Sequence, residues 1–597
     1  MRTIDDVHQQ FAECFPEPAL RPYAYFLSKR LEEGNVCITV DEPLRCVAES
    51  PYKIDRLPDL GALSVWVGRA GESAARPFIW DGDRIYLQRY HKYETGILES
   101  IRKKLKSGEA KLPERLKALE SQRDLIRSLG AVYGLEGLEP AEKVDWQSVA
   151  AIGSLLGDFS IITGGPGTGK TTTLAKILRI LFAIEPGTRL ALAAPTGKAA
   201  KRMQESLLSG MKSFPKDVQE KIEKLVPTTI HSLLGYKRES VDFRHGRVNP
   251  LPYDLVVVDE ASMIDLPMFA KLLEATGEGC RLVLLGDKDQ LASVEAGSLL
   301  GDLCQSTDRL NQFTPDRIEW INGFIPDEER RVTGDHVKDG EALLAGCIYE
   351  LRMSHRFKAQ GLIGNLSRAI IAGNVPEVER IVEGDHRPKL TYDPTYEDGV
   401  LEGFLSGYES YIKEPDVQKA LDKLNGLRVL VTVREGPRGL YAVTRKIEDA
   451  LMRKGWIAPR DGFYPHRPVI VTRNNYELGL MNGDIGIVRP DADGRLRVWF
   501  EDPQGGTRSV VPAFLSNCET VFAMTIHKSQ GSEFDKVLVV LPEGTDNPLL
   551  TRELLYTGVT RAREEVVIQG SRETLRKAVE SQVERISGIG RRINGKS

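Results

Sequence analysis

The chain has 597 residues, of which 41% are hydrophobic and 28% charged, and its formal net charge is −4. That composition supports ordinary globular cores in about three to five domains. It argues against a broadly basic nucleic-acid coat, but not against an enzyme that grips a strand in a narrow channel, which needs only local positive charge. The seven cysteines form no C-x-x-C pair. An odd count without such pairs fits reduced, buried thiols in a cytosolic protein. Cys14, Cys37 and Cys46 lack a fourth partner for a metal cluster. The N-terminal MRTIDDVHQQ has no apolar core or cleavage signal, and no run reaches the length of a membrane span. The expectation is a soluble, cytoplasmic protein with no membrane partner.

In chain order, helical patterns near Val7–Phe15 and Ala24–Leu31 come first. Strand-like Val36–Val40 follows, then Ile85–Arg89 after the turn Asp81-Gly82-Asp83. A charged helical stretch from Ile97 to Leu129 is interrupted by Gly108 and Pro113 and reads as two connecting helices. Together these predict a mostly helical N-terminal domain over residues 1–140.

From residue 141 to 345, buried strands alternate with amphipathic helices. Phe159–Thr163 (FSIIT), Leu190–Ala193, Leu255–Val258 and Leu282–Leu285 each read as a strand apolar on both faces, the mark of a parallel sheet between helices. After the first comes Gly164-Gly165-Pro166-Gly167-Thr168-Gly169-Lys170-Thr171-Thr172, and then Leu174, Ile177, Leu178 and Leu181 at helical spacing. A glycine-rich loop between a strand and a helix N-terminus is a phosphate cradle, with bare N–H groups and the helix dipole facing negative charge. ATP is the expected cofactor. Lys170 would reach the β- and γ-phosphates and the Thr171 hydroxyl would hold Mg²⁺. Asp259-Glu260 ends the strand LVVV, so two carboxylates emerge at the same edge. Asp259 suits the metal shell, and Glu260 suits orienting or deprotonating the attacking water. Gln290 follows another buried strand in LGDKDQ; taken alone, that segment is equally a turn. Residues 306–345 are polar and poor in pattern, and read as an insertion or loop.

A second α/β region takes residues 346–466 and 518–597, with strand-like Leu427–Thr432 and Val537–Leu541. Between its halves, residues 467–517 carry short strands joined by Asn482-Gly483-Asp484, Asp493-Gly494 and Gly505-Gly506, which predict a small β-barrel. Arg356 and Arg561 lie in this second region. An arginine there could offset charge on a transferring phosphoryl group when the two regions close. In isolation each reads first as a surface ion-pair partner.

The segments GGPGTGKTTT, APTGKAAKRM, DEASMID, LGDKDQLASVEAG, SHRF, TIHKSQGSEFD and LYTGVTRAR stand in the order of superfamily 1 helicase motifs. Their wording resembles the RecD branch, the alpha subunits of exonuclease V (RecBCD), over about residues 147–563. The resemblance implies two RecA-like P-loop NTPase domains with an SH3-like barrel insertion. It also implies 5′-to-3′ movement on single-stranded DNA and an ATP-dependent helicase subunit that processes double-strand ends beside RecB-like and RecC-like subunits. It places Gln147 on adenine, and Lys170, Asp259, Glu260, Gln290, Arg356 and Arg561 in catalysis. Gly531 and Glu533 would meet nucleotide. Pro195, Thr196, Thr229, His231, Thr525 and His527 would touch the DNA strand. Alone, His231 reads as a core histidine; within TTIHSLLG, after the APTGKAA segment, it reads equally as a DNA contact. His355 stands where many relatives carry a tyrosine that stacks on adenine, and imidazole offers less surface. No nuclease carboxylate cluster is evident, and the nuclease of the family complex belongs to RecB. The short N-terminal domain suits docking on RecC. Two other readings stand beside this one: a free-standing helicase of the same branch, and a non-motor ATP switch.

Overall fold

Four sheets organise the chain. The computed structural model describes residues 6–593 except 73–74, 132–133, 137, 139, 212–213, 238–239, 241, 294, 308, 339–342, 355–360, 460–461, 476 and 503–504. The N-terminal unit holds β1 (Cys37–Thr39), β2 (Val67–Arg69), β3 (Phe78–Asp81) and β4 (Arg84–Leu87) in the order β1-β4-β3-β2. The helices Val7–Glu13 and Arg21–Glu32 precede this sheet, and Tyr23, Phe26, Ile38, Phe78 and Ile85 share one core with them.

The first lobe is an all-parallel sheet of β5 (Phe159–Thr163), β6 (Leu190–Ala194), β7 (Thr228–Thr229), β8 (Leu255–Val258), β9 (Arg281–Gly286) and β10 (Ile348–Glu350). Its order is β10-β5-β9-β8-β6-β7. β5, β6, β8 and β9 are buried along their whole length, because helices cover both faces. The second lobe begins with β11 (Leu390–Asp393) and β12 (Leu427–Val431). The chain then leaves to form the antiparallel strands β13 (Pro468–Val471), β14 (Ile485–Pro490), β15 (Leu496–Glu501), β16 (Thr507–Val510) and β17 (Cys518–Thr520). It returns as β18 (Ala523–Thr525), β19 (Phe534–Val540) and β20 (Ala562–Gln569). The second lobe's sheet is parallel, ordered β11-β20-β19-β12-β18. These are the two α/β layers with helical flanks and the small all-β insertion.

Several expectations need correction. The connector is three helices, Gln88–Ala110, Leu112–Glu120 and Arg123–Ser128. Gly108 lies inside the first of them, against the backbone of Gly157 and Asp158, and serves close packing rather than a break. Residues 306–345 are not a bare loop. They include the helix Pro315–Gly323, and Phe313, Ile321, Phe324, Ile325 and Val332 join the core on one face of the first sheet. The boundary expected at 345 also moves, since β10 pairs with β5 and belongs to the first lobe. Asn311 caps that edge strand, accepting from Glu350 N at 2.7 Å and donating to Glu350 O at 3.0 Å. A three-residue strand, with its edge groups met by one asparagine, has no periodicity to read. The insertion likewise gains a fifth strand, β17, beyond 517.

The C-terminal segment returns to the other end of the chain. After the helix Arg572–Glu580, Ile586 exchanges hydrogen bonds with Asn35 and Val36, at 2.8 and 2.9 Å. Ile589 and Ile593 are buried with Val36, Tyr86 and the outer face of the first lobe. Arg591 pairs with Asp81 at 2.9 Å, and Arg592 with Glu94 at 3.4 Å. The segment therefore straps the second lobe to the N-terminal unit and the first lobe.

Candidate nucleotide and nucleic-acid site

The glycine-rich loop joins β5 to the helix Lys170–Ile184, at the C-terminal edge of the first sheet. Gly169 caps the helix at φ +90°, and the Gln147 amide fills the place its Cβ would take. Only glycine meets both demands. Gln147 stands on the helix Trp146–Leu156, whose N-cap Asp145 accepts from Ser148 N at 3.0 Å, and donates its own Nε2 to Thr168 O at 3.2 Å. Lys170 Nζ donates to the carbonyls of Gly164 and, at 3.3 Å, Gly165. Thr168 Oγ1 donates to Gly165 O at 2.8 Å.

Beyond β8, Glu260 is held at φ +52°, a left-handed conformation that costs a side-chain-bearing residue on the order of 1 kcal/mol. Its N–H donates to Asp259 Oδ1 at 2.8 Å. Burial first, then the Glu260 charge, pushes the Asp259 carboxyl above the ordinary range, while Lys170 and Arg202 pull it back. Two adjacent carboxylates with incomplete compensation are a donor set that fits a hard divalent cation. Past β9, Gln290 donates Nε2 to Asp287 Oδ2 at 2.9 Å.

A cavity of about 500 Å³ gathers these groups. Gln147, Pro166, Gly167, Gly169, Lys170, Thr171, Thr172, Asp259, Glu260 and Gln290 line it from the first lobe, and Glu533 and Arg561 from the second. The first lobe presents the C-terminal edge of its strands. The second presents the opposite edge, since Glu533 and Arg561 immediately precede β19 and β20. Arg561 is 2% exposed, with Nε donating to Thr557 O at 3.0 Å and Nη1 to Ser532 O at 3.1 Å. Gly164, Gly165 and Thr168 line an adjoining cavity with Ser354 and Tyr556. His355 and Arg356 lie outside the described residues.

Sequence reasoning missed three groups here. Arg202 lines the cavity, pairs with Glu533 across the lobes and donates to Gly531 O at 3.3 Å. Its signal was present in APTGKAAKRM, where Ala199, Arg202, Met203 and Ser206 recur at helical spacing on the helix Gly197–Gly210. Asp287 and Tyr556 join at 2.9 Å, and no local pattern announces a bond between residues so far apart in sequence.

The six residues expected on DNA stand outside the nucleotide cavity, in one group per lobe. Pro195 and Thr196 follow β6, and Thr229 ends the neighbouring β7. Thr196 and Thr229 each cap a helix, accepting from Ala199 N and Ser232 N at 3.2 Å. His231 is exposed, its ring edge-on to Phe243, which removes the core-histidine alternative. Thr525 ends β18 and accepts from Lys528 N at 3.3 Å. His527 follows, half-buried; burial, then Arg585, holds its imidazole below the ordinary value. The inserted sheet reaches the first group. Met481 lies against Gly197, and Lys201 pairs with Glu501 at 3.1 Å.

Among the described residues no cluster of three or more His, Cys, Asp or Glu is placed to hold a metal ion, and no helix is long and apolar enough to cross a membrane. The family model for an AAA domain matches residues 147–296, and that for a UvrD-like helicase C-terminal domain matches 520–569. The chain is similar to the RecBCD enzyme subunit RecD of Mycolicibacterium smegmatis, 35% identical over 592 residues that cover 95% of this chain and 92% of that one. The RecD subunit of Mycobacterium tuberculosis strain H37Rv is 36% identical, with 86% of this chain and 81% of that one covered. The ATP-dependent RecD2 DNA helicase of Deinococcus radiodurans is 29% identical, across 78% of this chain but 55% of its own length. With a two-lobed cavity fed by the motifs of both matched regions, and relatives aligned nearly end to end, this chain belongs to the RecD family of superfamily 1 helicases.

Proposed function

We propose that this protein is an ATP-dependent DNA helicase that moves 5′ to 3′ as a subunit of a RecBCD-type helicase–nuclease and opens double-strand ends for recombinational repair in the cytoplasm. The observation that carries the reading is the cavity walled by both lobes, because a nucleotide held between two bodies couples its hydrolysis to their motion. Lys170 and the loop amides bind the phosphates, and Gln147 reads the adenine edge. Glu260 orients the attacking water, and Gln290 and Arg561 stabilise the charge that develops on the γ-phosphoryl group, with Arg356 assigned there by resemblance. Thr171 and Asp259 are the residues to hold Mg²⁺, which when bound neutralises charge on the β- and γ-phosphates. Pro195, Thr196, Thr229, His231, Thr525 and His527 contact the strand backbone without reading bases, as a motor on any sequence requires. RecB-like and RecC-like chains are the proposed partners. Glu260 and Arg561 in the cavity wall favour a motor over a pure ATP switch, which can lose the groups that speed hydrolysis.

A strand-displacement assay on 5′-tailed and 3′-tailed duplexes, with and without partner chains, tests the proposal. Unwinding from the 5′ tail alone, abolished by Lys170→Gln, is the expected result. Unwinding that survives Lys170→Gln overturns it.

A further inference from the structure

A short segment of the first lobe is held by the second. After β9 the chain runs through Asp287 to Leu291, and Leu291 is buried in a hydrophobic cluster whose other members all belong to the second lobe and its insertion. Leu291 N donates to Thr557 Oγ1 at 3.0 Å, and its carbonyl accepts from Gln530 Nε2 at 2.8 Å. At the start of the segment, a single carboxylate oxygen, Asp287 Oδ2, accepts from Tyr556 Oη of the second lobe and from Gln290 Nε2 of its own, both at 2.9 Å. Asp287, Gln290 and Tyr556 are all buried.

Tyr556 and Thr557 sit on the helix Arg552–Val559, and Arg561 follows directly, tied back to Thr557 O. The stretch that delivers an arginine to the nucleotide cavity therefore also grips the loop that delivers Gln290. Burial, then Asp287, holds the Tyr556 phenol neutral, so it donates to a carboxylate, one of the stronger kinds of protein hydrogen bond. If the lobes part, the buried Asp287 oxygen loses one of its two donors, and the Gln290 amide is no longer fixed by a shared acceptor.

We propose that Tyr556 is a positioning residue for ATP hydrolysis: through Asp287 its hydroxyl sets the Gln290 amide in the nucleotide cavity, so that Gln290 is placed for reaction only while the lobes are together. This rests on the motor reading and adds to it the group that senses closure.

The test uses the full chain and measures ATP turnover against ATP concentration, with and without single-stranded DNA. Tyr556→Phe removes only the hydroxyl. DNA-stimulated kcat should fall about tenfold while KM for ATP stays within about twofold, because the hydroxyl bonds Asp287 and only packs against Gly165, leaving the Lys170 contacts of the phosphate loop in place. Asp287→Asn should behave alike, and the double variant should be no worse than the worse single, as expected of two groups acting through one bond. Wild-type turnover in Tyr556→Phe overturns the proposal. So do losses that multiply in the double variant, or a loss that comes with a raised KM and a lowered thermal midpoint, which would mark a merely structural role. A wild-type chain without DNA-stimulated turnover sinks the motor reading and this one with it. A stimulated wild-type chain beside an unaffected Tyr556→Phe sinks this one alone.

Discussion

Arg202 of the first lobe and Glu533 of the second form an ion pair on the wall of the nucleotide cavity, with the Glu533 side chain 9% exposed. Arg563 shares Glu533 from the other side at 3.3 Å. The pair links the two lobes across the cavity wall. It also leaves an arginine, already partnered, within reach of the space a triphosphate would fill.

Breaking that pair should therefore weaken closure more than it weakens the fold. Arg202→Ala takes its cross-lobe partner from a largely buried carboxylate, and should lower kcat/KM for ATP about tenfold, corresponding to roughly 1–2 kcal/mol. Glu533→Gln should lose less, because the amide still accepts a hydrogen bond. Steady-state turnover at two salt concentrations checks it: a half-buried pair should respond weakly to salt, and equal, strongly salt-dependent losses would contradict this account.

The same cavity makes a prediction about the base. Gln147 is held at the loop by its bond to Thr168 O and by its seat on Gly169. Gln147→Ala should raise KM for ATP about tenfold and leave KM for GTP nearly unchanged, since a lost amide pair costs about 1–3 kcal/mol of base discrimination. Competition between the two nucleotides in one turnover assay reads the ratio directly, and an unchanged ratio refutes the assignment.

The site was legible in sequence wherever chemistry sits at the end of a buried strand. β5, β8 and β9 are buried along their whole length because helices cover both faces, so Gly164, Asp259 and the Asp287–Gln290 segment stand out directly after each run. Asp287 stands directly after β9 but nothing local marks its partner, and Arg202 and Tyr556 lie within helices with no such mark. Their roles arise from pairings such as Asp287 with Tyr556, which exist only once two lobes meet. Residues 306–345 misled for a related reason: Phe313, Ile321 and Val332 are buried, but they are spaced by turns rather than by a helical or strand period. The strap went unread because its partners, Asn35, Asp81 and Glu94, lie at the far end of the chain.

Gly588 fixes where the strap seats. Its N–H donates to Glu94 Oε1 at 2.9 Å, and a Cβ there would run into Tyr86 Oη and come within 2.9 Å of Glu94 Oε2. Gly588→Ala should cost about 1–3 kcal/mol, the usual penalty of overpacking a filled site. Limited proteolysis should then cut between residues 581 and 593 earlier than in the wild type. An unshifted thermal midpoint and cleavage pattern would mean the strap is not seated there.

Glu94 gives that seat a pH dependence of unusual sign. The side chain is fully buried, and burial pushes its carboxyl up to about 7 from 4.5; the Gly588 amide and Arg592 lower it, and Asp302 raises it. Tyr86 and Cys37, both buried, face it as well. Between those two values the folded chain holds a proton that the unfolded chain has released. The stability Glu94 contributes is therefore fully present below about pH 4.5, falls as the pH rises through about 7, and changes no further above it. The shift corresponds to on the order of 3 kcal/mol. Glu94→Gln removes the titration and keeps an oxygen for the Gly588 amide. Denaturant unfolding of both proteins at pH 5 and pH 8 should show the wild type losing stability relative to the variant on going to the higher pH. Every other titrating group is common to the two chains, so a constant difference between them would show that Glu94 does not titrate in this range.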